Sequence, residues 1–584
     1  ARQSLLVDCL FRRFNTFPVI LPAHSAGFRE YSCTFDHVFT HKANRLLYLQ
    51  QKKEKVNTPI ARYRLLCSLM TLMAVMGAEA QTTTIVPRLV VNVVIDQLRS
   101  DYLQAFIPLY GEDGLARLME QGRVYTQAEY PFHSPDRASA MACLVTGTSP
   151  YENGIVGTRW LDRKSLCPVQ CVADDDYSCQ FTADKCSPAS LAVSTVSDEL
   201  KVATNGRSKI ISVAPDRESA ILSAGHAADG AYWIEDYSGR WSASSYYGPY
   251  PQWALDYDRD SSLVERIGKM EWTPLNDSVD QFAYFAERGT KKAFKHKFTG
   301  DRRFVTFKSS AIVNDEVIRF ARYAMEQNKL GEDTHTDLLN VSLYAGTFEH
   351  KGVSRYGVEM QDTYARLDRQ IATLVHAVEQ QVGAGNALFV FTSRGYTDAE
   401  DIDDLNQWRI PTGIFSITKA QLLLNMYLIA VYGPGQYIDT VDKNQLYLNL
   451  KLVESKNLKL TEVLERCADF LIQLSGVKDV YTSQRLANGA WTAGISKLRN
   501  AYNTRHSGDV MIQITPGWVL YNENTYEKQI CRESYVGFPL VMMGCGIKAE
   551  KVRIPVSIDQ VAPTLAQAMR IRAPNGCPLA PLNY

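Results

Sequence analysis

Three residues stand directly beyond the carboxyl ends of apolar, strand-like runs: Asp96, Gly346 and Arg394. In an open α/β sheet those are the places where chemistry is done. An aspartate there can act as a ligand or a base; an arginine can act only as fixed charge, because it stays protonated at any physiological pH. Around Arg137 lie His133, Ser134, Ser139 and Thr146, residue types from which a hydroxyl nucleophile and its base are assembled. No G-x-S-x-G elbow surrounds these serines, so an ordinary loop is the preferred reading. No phosphate-cradling glycine loop of the Walker or dinucleotide kind occurs in the sequence. His376 falls on a helical pattern without a partner and reads as structural or surface. Asp362 and Asp368, six apart on that same pattern, face different sides and read as contacts of the fold.

The elements that would position these residues follow from periodicity. Arg88–Asp96 is a near-continuous β-branched run ending in an acid, as a strand buried on both faces reads. Further runs of that kind lie at Lys209–Val213, Leu338–Leu343, Ala387–Thr392 and Pro539–Met543. Helical spacing covers Tyr102–Gln121, Asp315–Gln327 and Gln361–Gln381. Alternation of this kind predicts an α/β fold with a mostly parallel central sheet and helices on both faces. Two stretches break it. Residues 230–300, rich in Tyr, Trp, Ser and Asp, read as a cap or surface insertion; residues 400–505, with a helix at Leu460–Leu474, read as an inserted α+β lobe.

The chain has 584 residues, 46% hydrophobic and 22% charged, enough for one large domain with insertions or for two ordinary ones. Its 63 basic and 63 acidic residues balance, so nothing in the global charge argues for nucleic acid or an anionic membrane as partner, and no nucleic-acid partner is expected. No run of about 20 apolar residues predicts a transmembrane span. At 61–80, Arg62 and Arg64 precede an apolar stretch from Leu65 to Gly77, followed by Ala78-Glu79-Ala80. That order predicts a secretory signal peptide cleaved before Gln81. Residues 1–60 then read as an N-terminal extension upstream of the true start, and 81–584 as the mature protein. Export agrees with Cys167, Cys171, Cys179 and Cys186, whose spacing is not a paired C-x2-C zinc pattern. In an oxidising compartment, disulfides pinning a surface loop are the expectation, with connectivity left open.

Seven segments in order carry a family resemblance: VVIDQLRSDY at 93–102, LVTGTSPYENGIVG at 144–157, SPASLAVSTVSDELKVAT at 187–204, AGHAADGAYW at 224–233, DTYARLDRQIATL at 362–374, HSGDVMIQITPGW at 506–518 and VRIPVSIDQVAPTLA at 552–566. On these the chain resembles the exported bacterial branch of the alkaline phosphatase superfamily, near the phosphate-irrepressible alkaline phosphatases and the type I phosphodiesterase/nucleotide pyrophosphatases. The resemblance implies that superfamily's fold over 88–584. It also implies a site with two zinc ions held by Asp and His, and a Thr or Ser nucleophile between them. His226 matches a structural position of these relatives and reads as a packing residue.

Carried over position by position, the site is almost entirely replaced. Asp96 keeps the first ligand, but Arg137 stands where the nucleophile should. The D-x3-H ligand pair has become Gly346 and His350, and the D-H pair of the next strand end has become Arg394-Gly395. The last histidine falls on Lys528. Of the residues that contact a substrate phosphoryl group, the Asn is Thr158, the Lys is absent and the Arg is kept as Arg217. Asp96 and His350 alone cannot hold two ions that each take three protein ligands. The expectation is therefore a non-catalytic exported pseudophosphatase without metal cofactor. It would serve as a binding, assembly or scaffold partner of another envelope protein, in the periplasm or at the outer membrane of a Gram-negative bacterium. Within that reading the arginines either plug an obsolete pocket or hold a phosphate, sulfate or carboxylate without cleaving it. The alternative is a zinc-dependent phosphatase or phosphodiesterase with an atypical site.

Overall fold

The computed structural model describes residues 86–282, 284–285, 294–351, 355–395, 412–489, 492–531 and 537–584. The expected extension and signal peptide lie outside the described residues. The described chain falls in one compact unit, Thr84–Tyr584.

At its centre is a ten-stranded sheet. We number its strands β1 (Leu89–Asp96), β2 (Arg123–Glu129), β3 (Ile210–Ala214), β4 (Gly230–Ile234), β5 (Trp241–Ala243), β6 (Asp337–Tyr344), β7 (Ala387–Ser393), β8 (Phe538–Gly544), β9 (Glu550–Val552) and β10 (Val556–Ser557). The order is β9-β2-β8-β7-β1-β6-β3-β4-β5, with β10 beside β2. The five central strands β7, β1, β6, β3 and β4 run parallel. Strands β8 and β5 join them antiparallel. Every residue of β1, β6 and β7 is buried, which is why their sequences read as unbroken apolar runs rather than alternating ones.

Two polar residues inside those runs help set the register. Asn92 of β1 pairs opposite Asn340 of β6 and donates to its side-chain carbonyl at 3.0 Å; Asn340 in turn donates to the Ser223 carbonyl at 3.0 Å. A shift along the strand would leave these buried amides without partners, at a cost of about 1–3 kcal/mol each. This register sets Asp96 opposite Tyr344 at the carboxyl ends.

Helices cover both faces: α1 (Arg137–Thr146) and α2 (Arg217–Ala224) on one side, α3 (Val313–Gln327) and α4 (Gly357–Val382) on the other, each side with its own apolar core. The predicted helix at 102–121 is broken into Ser100–Ala105, a 3-10 turn at Ile107–Leu109 and Leu115–Gln121. Pro108 and the glycines at 111 and 114 account for the break. The 230–300 stretch also differs from expectation, because β4 and β5 are main-sheet strands; short helices follow from Gln252.

The inserted lobe has its own core and contains α5 (Ile417–Tyr432) and α6 (Leu460–Leu471). It reaches beyond residue 505, because Val510–Ile514 lies between Gln445–Leu448 and Val477–Thr482 in a four-stranded sheet. A small sheet of Ile414–Ser416, Val519–Asn522 and Glu527–Ile530 completes the lobe. Residues 400–411 of the predicted lobe lie outside the described ones.

Candidate functional site

The carboxyl ends of β1, β7 and β3 deliver Asp96, Arg394 and Asp216 to one place. Arg394 follows β7 and is 3% exposed; Asp96 ends β1 and is 8% exposed. The Arg394 guanidinium lies 3.2 Å from an Asp96 oxygen through Nη2 and 3.3 Å from an Asp216 oxygen through Nη1. Nη1 also donates to the Ser219 hydroxyl, while Nε has no hydrogen-bond partner. Asp216 caps α2, accepting from the Ser219 backbone N–H at 3.0 Å. Burial alone would push its carboxyl up, yet Arg394, Arg137 and Ser219 hold it well below the usual carboxylate range.

Arg137 is the first residue of α1. The preceding Asp136 caps that helix by accepting from the Ala138 and Ser139 backbone N–H groups, and Ser139 completes the box. The Arg137 side chain is exposed and has neither a hydrogen bond nor an ion pair among the described residues. Asp216 above all, then Glu218, Asp96 and Asp136, raises its pKa further, so it carries full charge at the mouth of the cluster.

His350 sits in a backbone turn with φ 55° and shares a 3.1 Å hydrogen bond between Nδ1 and the Tyr344 hydroxyl. Desolvation lowers its imidazole below the ordinary value, against the opposing pull of Asp96. Tyr344 itself is buried at the end of β6 and donates to the Thr347 carbonyl at 2.7 Å. It fills the space beside Gly346: a Cβ at that glycine would meet the Tyr344 hydroxyl at 2.5 Å and its ring carbon at 2.6 Å. Gly395 has φ 85°, backbone that a histidine would adopt only with strain.

Thr158, Arg217 and Lys528 are not drawn into this cluster. Thr158 is held by its backbone N–H, which donates to Asp136 at 2.6 Å. Arg217 pairs with Asp184 at 2.6 Å and with Glu218 at 3.4 Å. Lys528 lies exposed on the lobe's small sheet with its ammonium 5.6 Å from the Tyr521 ring centre. The lobe residue that does approach is Lys443, 3.9 Å from Asp136. Asp216 and Tyr344 escaped the sequence reading as site residues. Tyr344 ends a buried run and Asp216 lies two residues beyond one, close to the signal that had pointed to Asp96.

Other candidates resolve into fold contacts. Ser139 belongs to the helix cap, and Thr146 donates to the Ala142 carbonyl at 2.6 Å. His226 bonds Asp198 at 3.0 Å and the Leu191 carbonyl at 3.1 Å. His376, expected without a partner, lies 3.6 Å from Asp113. Cys167 is exposed, whereas Cys171, Cys179 and Cys186 are buried; all four are free thiols rather than the expected disulfides. Cys179 and Cys186 are nevertheless neighbours, brought together by the strand pair Ala173–Ser178 and Lys185–Cys186. Their shared hydrogen bond lowers the Cys179 thiol and raises that of Cys186.

The fold that carries this cluster is shared with known proteins. The sequence model described as type I phosphodiesterase / nucleotide pyrophosphatase matches residues 90–537. The chain belongs to that family. It is 27% identical over 533 residues to alkaline phosphatase PafA of Elizabethkingia meningoseptica, covering 88% of this chain and 96% of the relative. With alkaline phosphatase PhoV of Synechococcus elongatus it shares 29% over 510 residues, 84% of this chain and 91% of the relative. The crystal structure of wild-type PafA superposes with a TM-score of 0.74 at 27% identity, over 85% of this chain and 98% of the other.

The zinc pair implied for this family does not fit the residues present. Among the described residues, no group of three or more His, Cys, Asp or Glu could hold a metal ion. Arg394 lies between Asp96, the one acidic ligand position that is kept, and Asp216; Tyr344 occupies the space beside Gly346, and His350 is bonded to Tyr344. A guanidinium supplies charge and hydrogen bonds but neither a Lewis-acid centre nor a nucleophile.

Proposed function

We propose that this family member does not hydrolyse phosphoesters, and that it works in the cell envelope as a binding, assembly or scaffold protein. The supporting observation is the bridge made by Arg394 between Asp96 and Asp216, at 3.2 and 3.3 Å. One covalently fixed cation thereby sits against two acids, and Arg137 stands where an attacking hydroxyl is needed. The same bridge favours a plugged pocket over an anion site. Arg394 is already neutralised and Arg217 is engaged by Asp184; of these three arginines, Arg137 alone is unpaired among the described residues.

Family membership favours a second reading, a phosphoester hydrolase, because the relatives named above are alkaline phosphatases. Purified mature protein, supplied with zinc and assayed on aryl phosphate mono- and diesters, separates the two. The expected results are background turnover and no stoichiometric zinc by elemental analysis. Arg137→Thr should not restore turnover, because Gly346, Arg394 and Gly395 are unchanged. Zinc-dependent turnover lost in Asp96→Ala would establish the hydrolase instead. Export is tested separately by sequencing the native amino terminus, expected at or near Gln81.

A further inference from the structure

Cys179 and Cys186 stand at the two ends of a loop that carries Asp184, the residue engaging Arg217. Cys186 ends the short strand Lys185–Cys186, and Cys179 directly follows its antiparallel partner Ala173–Ser178. Ser178 lies opposite Lys185, so the cysteines, each one residue further along, turn to a common face. The Cys179 N–H donates to the Asp184 carbonyl at 3.0 Å and closes the turn. Both cysteines also meet Ser244, just beyond edge strand β5. Cys179 forms a β-bridge with it, and its hydroxyl donates to the Cys186 carbonyl. Cys186 is fully buried, Cys179 nearly so, and the two thiols share a hydrogen bond.

The neighbouring cysteines are placed less well. Cys167 and Cys171 flank the extended strand Pro168–Gln170. Four residues of strand rise set their Cα atoms about 13 Å apart, well beyond the ~7 Å that a disulfide spans. Cys167 is exposed. Cys171 is buried, with its N–H on the Thr158 carbonyl at 2.9 Å and its thiol acted on by Glu218 and Asp136.

What the loop carries gives the pairing a consequence. Asp184 lies 2.6 Å from the Arg217 guanidinium, and Arg217 opens α2 beside Asp216, which Arg394 reaches at 3.3 Å. The Asp184 side chain is 56% exposed. An exposed ion pair gains little when it must also order a free loop. A covalent tie at the base of the loop removes much of that entropy beforehand.

We propose that Cys179 and Cys186 form a disulfide, and that the loop it closes clamps Asp184 onto Arg217 and keeps that arginine out of the strand-end cluster. The clamp deepens the plugged-pocket reading, whereas the pairing stands whether or not the site hydrolyses phosphoesters. The oxidant is a protein or small-molecule disulfide. As the hairpin forms, the Cys179 thiolate attacks it and expels one thiolate; the Cys186 thiolate then attacks the Cys179 sulfur and expels the other. Two protons leave the cysteines, and two electrons pass to the oxidant, which departs as two thiols.

The test uses the mature chain exported to the oxidising periplasm of a bacterial host, alkylated under denaturing, non-reducing conditions and digested for mass spectrometry. The expected result is a Cys179–Cys186 linked peptide and an alkylated Cys167. Alkylation of both Cys179 and Cys186, or a link from either to Cys167 or Cys171, overturns the pairing. This mapping needs no variant, so it decides even where a substituted chain fails to fold. Reduction should raise the unfolding constant in urea roughly 10- to 100-fold. It should also speed amide exchange across 180–185 while leaving β1 unchanged. The double variant Cys179→Ser, Cys186→Ser should match the reduced parent in both respects. Exchange at 180–185 as slow in that variant as in the oxidised parent overturns the clamp, because the hairpin then holds Asp184 without the bond.

Discussion

Two sets of buried aspartates in this molecule are satisfied in different ways. On α4, Asp368 accepts from the Gly111 and Leu115 backbone N–H groups at 2.8 and 2.7 Å. Asp362 accepts from the Leu275 N–H, the Trp272 indole and Arg366. Burial raises both carboxyls above their ordinary range, and those donors offset only part of the rise. At the strand ends, Asp216 is also buried, yet its carboxyl is held well down because arginines face it. Fixed N–H dipoles suffice for Asp368, which anchors a loop, and a single arginine on its own helix, Arg366, assists Asp362. Where two acids converge on one point, a full positive charge is needed between them. The strand-end geometry has kept its demand for a cation, and Arg394 supplies it.

The contrast breaks most sharply at Arg394. Arg394→Ala would leave Asp96 and Asp216 without that countercharge and should destabilise the protein by about 3–5 kcal/mol in urea denaturation at neutral pH. The deficit should shrink on acidification, since protonating either acid relieves the repulsion. The unmodified protein should behave in the opposite sense at this site. Asp216 titrates lower when folded than when unfolded, so its stabilising contribution is complete above the unfolded carboxylate pKa. It is lost as pH falls through the folded value. Asp362 and Asp368, whose folded pKa values are raised, oppose this by favouring the folded state as they protonate. Asp216→Asn should therefore remove the acid-side loss of stability that is specific to the strand-end cluster. If Arg394→Ala is as stable as the parent at pH 7, the bridging role is wrong.

Asp368→Ala tests the other half of the comparison. It strands the Gly111 and Leu115 N–H groups and should cost about 1–3 kcal/mol, with little dependence on salt. Gly346→Asp comes next, at about 1–3 kcal/mol, because a side chain there overlaps the buried Tyr344 ring. Tyr344→Ala in the same chain should return part of that loss. A Gly346→Asp protein as stable as the parent would show that Tyr344 yields easily and that the space beside Gly346 is still open to a ligand.

Much of this arrangement was legible in residue order. The unbroken runs at 88–96, 338–343 and 387–392 are buried strands because each residue packs against helices on one face or the other. Asp96 and Arg394 follow such runs and meet. Asp216 was harder to see: it follows a shorter run and caps a helix, so its ordinary role hid its position in the site. Tyr344 was hidden for another reason. Its meaning depends on a volume, the space that an aspartate at 346 would have used, and volume is not written in spacing. The lobe boundary at 505 failed because a strand at 510–514 completes a sheet with strands that precede it in sequence, a pairing periodicity does not reveal.

Lys528 carries the smallest predicted effect and gives the cleanest check on which cations belong to the cluster. Ungapped alignment set it at the last ligand position, but its strand pairs with Val519–Asn522 in the lobe, and its side chain is exposed over Tyr521 at 5.6 Å. A lysine so placed loses only a weak cation–π contact, worth about 0.5–1 kcal/mol at an exposed site, when it is shortened. Lys528→Ala should therefore change stability by no more than about that much. It should also leave the acid-side stability profile unchanged, because Asp216 is held down by Arg394 and Arg137 and not by Lys528. Comparing that profile in Lys528→Ala and Arg394→Ala separates a cation aligned with the site from one bonded to it. A shift of the acid limb in Lys528→Ala would place its charge within reach of the strand-end acids and return it to the cluster.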